Sequence, residues 1–308
     1  MLEFRGSLDG NGDIKDFPVS TSISDLPSAA PDICTEYPRR IVCLTDETTE
    51  VLYLLGEQDR IVGVSGYAHR PPEARSKPRV SAFRNANFEA ILDLKPDLIL
   101  TFSDVQAEIT RELVLRGATV MNFNQRSIAE ILEMIAVLSR MVGKQNAGLA
   151  LIEGFRRGLK EIAAEARAFP HRPRVYFEEW NDPLISGIQW VEELIEIAGG
   201  DVLFPELRSC GKAKDRVVES AEVARRDPEV ILASWCGMKV NKDAICSRAG
   251  WEATTAVRNG NVYELSSGPI LQPGPGSLTD GVRQIHKILA RAVGAEAGPA
   301  AELANPVR

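Results

Sequence analysis

Two Rossmann-like α/β lobes, each built on a parallel sheet and joined by a long helix, are the fold class this sequence predicts. Three observations lead there. The chain says nearly the same thing twice: residues 94–102 read Leu-Lys-Pro-Asp-Leu-Ile-Leu-Thr-Phe, and residues 226–234 read Arg-Asp-Pro-Glu-Val-Ile-Leu-Ala-Ser. Each stretch is a helix end, a proline stop, an acid and then a buried β run, a weak internal repeat of domain scale. Upstream of each lies an amphipathic helix ending at glycine, Glu47 to Gly56 and Trp190 to Gly200. Apolar runs of strand length also alternate with helical periodicity, the β-α-β-α order of a doubly wound parallel sheet. Two such lobes leave a cleft between them, where a ligand sits.

Arg40 to Leu44 is an apolar run suited to a buried first strand. Thr45-Asp46-Glu47-Thr48 supplies the cap of a helix to Leu55, which Gly56 stops. Ile61 to Val64 reads as strand two, and Leu98 to Phe102 and Ala118 to Phe123 as two more, with a helix near 106–116 between them. Ser127-Ile128-Ala129-Glu130 is a capping box, and Ile128, Ile131, Leu132, Ile135 and Leu138 share the face of the helix that follows. After Gly143, Leu151, Phe155, Leu159, Ile162 and Ala166 mark a second helix of roughly 24 residues, about 36 Å long and able to bridge two lobes. The second lobe follows with a strand at Arg174 to Glu178, a helix at Trp190 to Ala198, strands at Val230 to Ser234 and Asn261 to Leu265, and a last helix from Thr279 to Val293. The expected division is an arm at 1–37, a first lobe at 38–126, connecting helices at 127–170, a second lobe at 171–293 and a tail at 294–308.

The 308 residues suffice for two cores, and the net charge of −7 gives no basis for nucleic acid or an anionic membrane as partner. No run approaches the length of a membrane span. Met1 to Pro38 is polar and acidic, without the basic, apolar and small-residue regions of a signal peptide, so a cytoplasmic location is expected, or a periplasmic one if Met1 is not the true start. Five cysteines, an odd number without a CxxC pair, read as reduced thiols, and three histidines give no zinc cluster.

Ligands of open α/β sheets bind beyond the carboxyl ends of the strands. Those positions hold Asp46, Glu47, Tyr67, Phe83 and Phe102 in the first half, then Glu178, Trp180, Trp235, Cys236 and Gln272 in the second. The recurring aromatics suit a large, flat, partly apolar ligand. Glu178 and Glu179 alternate across a strand, so at most one faces the cleft. Cys236 precedes a glycine turn near Lys239 and Arg248, a setting for a lowered thiol pKa or a soft metal ligand, although no histidine adjoins it as a base. Lys212, Lys214, Asp215 and Arg216 form a charged loop able to clamp polar ligand groups. Gly-Pro-Gly at 274–276 lacks the context of a phosphate loop.

Val64-Ser65-Gly66-Tyr67, Pro71-Pro72-Glu73-Ala74, Asn87-Phe88-Glu89 and Leu94-Lys95-Pro96-Asp97 together resemble the first lobe of the cobalamin-binding proteins of bacterial ABC importers. Val175 to Gly187, ending Pro183-Leu184-Ile185-Ser186-Gly187, and then Ala198-Gly199-Gly200 resemble the start of their second lobe. The likeness spans roughly residues 38–292 and extends more loosely to ferric-siderophore and haem binding proteins of the same helical-backbone class, class III of the periplasmic-binding-protein folds. It implies binding of a corrinoid or related metal chelate without turnover and without a required cofactor, the corrinoid being the ligand. By position, Tyr67, Phe83 and Phe102 match corrin-contacting aromatics, Trp180 falls near another, and Glu89 matches a glutamate that docks on an ABC permease. The second docking position falls on Ala221, with Glu219 or Glu222 as substitutes, and a second-lobe aromatic position falls on Asp215. These departures, with the missing signal peptide, imply an intracellular carrier or sensor, or an importer-derived binding protein. The alternatives are an importer component for siderophore or haem, and an enzyme that modifies such a ligand through Cys236.

Overall fold

The N-terminal sheet has five strands, β1 (Ile41–Cys43), β2 (Ile61–Ser65), β3 (Arg79–Ser81), β4 (Leu98–Phe102) and β5 (Val120–Phe123), in the order β3-β2-β1-β4-β5 with every pairing parallel. The computed structural model describes residues 38–295. The expected arm, and the tail beyond residue 295, lie outside the described residues. Helices α1 (Asp46–Leu54), α2 (Phe88–Asp93) and α3 (Ala107–Leu115) connect the strands. Ile41 and Cys43 point into one buried layer and Val42 and Leu44 into another. Burial on both faces is why these strands read as unbroken apolar runs.

Helices α4 (Ile128–Met141) and α5 (Gln145–Ala166) follow. Ser127 and Glu130 make the expected reciprocal capping box at the start of α4. The 22 residues of α5 extend about 33 Å. This helix packs on α4 and also on two helices of the second lobe, α6 (Gln189–Ile197) and α11 (Val282–Ala292). A single apolar cluster therefore runs from Ile41 through Ile135, Phe155 and Ile162 to Val175 and Leu289.

The second sheet contains β6 (Arg174–Asn181), β7 (Leu184–Ser186), β8 (Asp201–Val202), β9 (Val230–Ala233) and β10 (Val262–Glu264), in the order β10-β9-β6-β7, with β8 also paired to β6. Only β7 runs antiparallel within it. Between these strands lie α7 (Ser220–Arg225), α8 (Lys242–Cys246) and α9 (Thr255–Arg258), and α10 (Ser267–Leu271) follows β10. Three features differ from the sequence expectation. The three residues of β3 carry one buried apolar side chain, too little for a periodic signal. The first strand of the second lobe continues past Glu178 to Asn181, because it turns back as a hairpin with β7. The last helix proper starts at Val282 rather than Thr279, after the short helix α10 and an intervening turn.

The internal repeat has a physical cause. The Asp97 N–H donates to the Arg40 carbonyl at 2.9 Å, while its carboxylate accepts from the Arg40 N–H at 2.9 Å. In the second lobe the Glu229 N–H donates to the Arg174 carbonyl at 2.8 Å, and its carboxylate accepts from the Arg174 N–H at 3.0 Å. The acid after each proline thus pins the start of the neighbouring central strand. The residue before each proline, Lys95 or Asp227, takes a positive φ of 48° or 47°, turning the chain sharply from helix to strand.

Candidate functional site

The carboxyl ends of both sheets meet at a seam between the lobes. The Gln125 amide, just after β5, donates to the Pro273 carbonyl at 3.1 Å. Glu50 of α1 accepts from the Gly276 N–H at 3.0 Å. Arg70, beyond β2, bridges Glu50 and Asp280 at 2.9 Å each. The segment Pro273–Gly276 therefore crosses from the second lobe onto the first turn of α1. Glycines are needed for that approach: a Cβ on Gly274 would fall 2.5 Å from the Glu47 Cβ, and one on Gly276 would fall 2.9 Å from Arg70 Nε.

This seam absorbs the first two candidate acids. Asp46 is 3 % exposed and accepts from the backbone N–H of His69 at 3.1 Å. Burial pushes its carboxyl up to about 7, against the pull of that donor. Glu47 is 1 % exposed and neither oxygen has a hydrogen-bond partner. Burial, with the neighbouring Asp46 and Glu50 charges, pushes it up to about 8; the Thr45 hydroxyl and its own N–H lie near enough to temper the shift without bonding. These acids are parts of the lobe junction rather than of an open cleft wall.

On the first-lobe side of the cleft, Tyr67 is 45 % exposed after β2, and Phe83 is half-buried after β3. Phe102 ends β4 but is buried, with the Arg126 guanidinium 5.3 Å over its ring and that guanidinium in turn paired to Asp104 at 2.6 Å. The expected bare aromatic wall at Phe102 is thus capped by a cation. Gln106 organises these strand ends. Its buried amide donates to Leu44 O at 3.1 Å and Phe83 O at 3.0 Å, and accepts from the Phe102 N–H at 3.0 Å. Sequence reading missed Gln106 because a single glutamine in a turn carries no pattern. Ser103 beside it takes φ 58°, a strained backbone at the cleft edge of β4.

On the second-lobe side, alternation along β6 divides the two glutamates as expected. Glu178 points inward and is 0 % exposed; it accepts from Trp235 Nε1 at 3.1 Å and from Arg248 Nη2 at 3.0 Å. Trp235, 3 % exposed, is therefore a buried partner of this acid and not an open platform. Glu179 points the other way and pairs with Arg216 at 2.6 Å. Arg216 is only 1 % exposed, so it is committed inside the lobe, whereas Asp215 beside it is exposed. Trp180 is half-buried, its indole N–H donating to the Asp182 carbonyl in the β6–β7 turn. Gln272 is half-buried at the start of the crossing segment, its carbonyl accepting from the Gly274 N–H at 2.8 Å.

Cys236 is exposed beyond β9, before Gly237 with φ 73°. Its thiol pKa is raised rather than lowered. Burial of its sulfur side acts first, Glu179 adds to it, and Arg84 of the other lobe opposes it. Arg248, expected near this thiol as an activating cation, is instead spent on Glu178. The reach of Arg84 to Cys236 puts the residue after Phe83 opposite the β9 loop, across the cleft. Val105, Val217 and Met238 add exposed apolar surface at strand-end loops of both lobes. Among the described residues no group of three or more His, Cys, Asp or Glu side chains is arranged to hold a metal ion, and no helix is long and apolar enough to cross a membrane.

Two three-layer lobes on a helical backbone, with aromatic and apolar groups at facing strand ends, define a two-lobed binding protein. A profile of the periplasmic binding protein family matches residues 41–269, and the chain belongs to that family. It is 29 % identical over 256 residues to a vitamin B12-binding protein of Vibrio cholerae serotype O1, covering 80 % of this chain and 87 % of the relative. The crystal structure of the periplasmic vitamin B12 binding protein of Vibrio cholerae superposes with a TM-score of 0.65 at 27 % identity, over 82 % of this chain and 97 % of that one. A periplasmic heme-binding protein from Roseiflexus sp. RS-1, in apo form, shares the fold at TM-score 0.69 and 23 % identity, over 82 % and 99 % of the two chains.

Proposed function

We propose that this protein binds a corrinoid, or a closely related metal chelate, in the cleft between its lobes and releases it unchanged. The observation that carries this reading is the set of flat and apolar side chains facing solvent at strand ends of both lobes: Tyr67, Phe83 and Trp180, with Val217 and Met238 beside them. The vitamin B12-binding relatives supply the chemical class. Asp46, Glu47, Glu178, Trp235 and Arg216 then act from behind, fixing the loops that carry the contact residues.

Arg84 and Lys239, exposed beyond the strand ends of opposite lobes, are the observation that favours an anionic chelate such as haem as the second reading. An enzyme working through Cys236 has less behind it, because a thiol whose pKa is raised is a poor nucleophile at neutral pH. Relatives named as binding proteins agree with binding without turnover.

A relative from Bacillus subtilis named as an ABC transporter substrate-binding lipoprotein supports a permease partner in this reading. Glu89 is exposed on α2, and Ala221 is exposed at the matching place on α7. Glu222 is held by Arg225 and Arg226, which leaves the exposed Glu219 as the available second acid. The periplasmic vitamin B12 binding protein of Vibrio cholerae favours a place outside the cytoplasm, and the cytoplasmic expectation finds no support there.

The test is a spectroscopic titration of the purified chain with hydroxocobalamin, with haem and a ferric hydroxamate in parallel. One-to-one binding of the corrinoid, weakened by Phe83→Ala or Trp180→Ala, is the expected result. Binding of haem alone, weakened by Arg84→Ala, establishes the second reading. Corrinoid turnover abolished by Cys236→Ala overturns both.

A further inference from the structure

Glu47 stands where the crossing segment of the second lobe lies against the backbone of α1. Its Cβ lies against Gly274 of the crossing segment so closely that an alanine there has no room. Its carboxyl is buried beyond this contact, and neither oxygen has a hydrogen-bond partner. Polar contacts also cross the seam: the Gln125 amide N–H to Pro273, Glu50 to Gly276, and Arg70 to both Glu50 and Asp280. An ionised carboxylate at Glu47 would be a buried charge without a counter-ion, which is strongly unfavourable until water reaches it.

We propose that Glu47 is a proton-operated latch: neutral, it lets the crossing segment lie flat on α1, and on ionising it loosens that seam and lets the lobes separate. The charged and titratable groups around it give no alternative relief. Asp46 and Glu50 on the same helix turn and Cys43 behind it on β1 are acidic. Arg70, the nearby cation, is already shared between Glu50 and Asp280. His69 offers only its backbone N–H, and to Asp46. Opening the seam also costs Glu50 its Gly276 donor, but Glu50 keeps Arg70 and Asp46 keeps its backbone donor on their own lobe, so Glu47 is the acid left without any partner. Burial raises the Glu47 carboxyl to about 8, so the neutral form prevails at neutral pH and is lost in mildly alkaline solution. The device does not depend on which ligand fills the cleft.

The experiment uses the full chain without ligand, spin-labelled at Asn85→Cys and Lys239→Cys, with Cys34, Cys210, Cys236 and Cys246 changed to serine. Inter-label distances are recorded at about pH 6 and about pH 9, values that bracket the expected titration. One short distance at the lower pH and a second, longer population at the higher pH is the expected result. Glu47→Gln keeps the single short distance at both, and Asp46→Asn still opens. Identical distributions at both pH values in the parent chain, or opening that survives Glu47→Gln, overturns the latch. Opening lost with Asp46→Asn but kept with Glu47→Gln also overturns it. Should Glu47→Gln fail to fold, infrared titration of the parent chain decides: a protonated buried carboxylic-acid band that disappears together with the short distance supports the latch, and its absence at neutral pH overturns it.

Discussion

Each lobe places two acids next to the end of its central strand, and the lobes treat them oppositely. In the second lobe both are neutralised by arginine: Glu178 by Arg248, with the Trp235 N–H added, and Glu179 by Arg216. In the first lobe Asp46 rests on backbone donors, Glu47 has none, and burial holds both carboxyls well above their usual range. The same sequence feature thus becomes a rigid charged core on one side and a protonatable junction on the other. Which outcome follows depends on whether an arginine from a distant segment reaches the acid.

Predictions that break the second-lobe arrangement carry the largest effects. Arg248→Ala leaves Glu178 as a buried, unpaired charge and is expected to destabilise the chain by about 3–5 kcal/mol in urea denaturation. The double change with Glu178→Gln should recover much of that loss, because the stranded charge is gone. A recovery of nothing would mean that Arg248 acts only through its stacking over Trp251, 4.6 Å from the ring centre.

The first-lobe arrangement is broken by pH. Glu47 titrates at about 8 when folded against an ordinary 4.5. Between those values the folded chain binds more protons than the unfolded one, so stability falls as pH rises through that window. Glu47→Gln should remove a slope worth on the order of a few kcal/mol, and denaturation midpoints at both ends of the window measure it. Gly274→Ala is next, with overpacking against Glu47 expected to destabilise by about 1–3 kcal/mol. Tyr67→Ala has the smallest effect on stability, within about 0.5 kcal/mol for so exposed a side chain. It should nevertheless weaken the chelate about ten-fold, the worth of one lost aromatic contact. Small-angle scattering sharpens the comparison last: at neutral pH the profile should not change with ligand, because α5 and the seam already tie the lobes.

Much of the fold was legible because it rests on local rules. The helix before Gly56, the capping box at Ser127 and the repeated proline-acid-strand motif each follow from residues close in sequence and appear where expected, although Thr45 starts its helix without a side-chain cap bond. Strands β3 and β7 were not legible, since three residues give no period and their existence depends on the neighbour they pair with. The candidate site was legible as a set of strand ends and illegible as a surface. Tyr67, Phe83 and Trp180 stay accessible, whereas Phe102 and Trp235, chosen by the same rule, are covered by Arg126 and by the packing around Glu178. Arg84 and Gln106 were missed because their roles lie in what they reach, Cys236 across the cleft in one case and the ends of three neighbouring segments in the other.

By itself, then, the sequence determined two α/β lobes, the helix that joins them and the strand ends where a ligand would meet the chain. Hydrophobic periodicity, capping and the proline-acid motif act within a few residues, so they can be read in one dimension. Only the tertiary structure decided which acids are paired, which aromatics stay open and that Gly274 packs against Glu47. Burial and charge are set by segments brought together from as far as 226 residues apart, as with Glu50 and Gly276. No local pattern encodes that meeting.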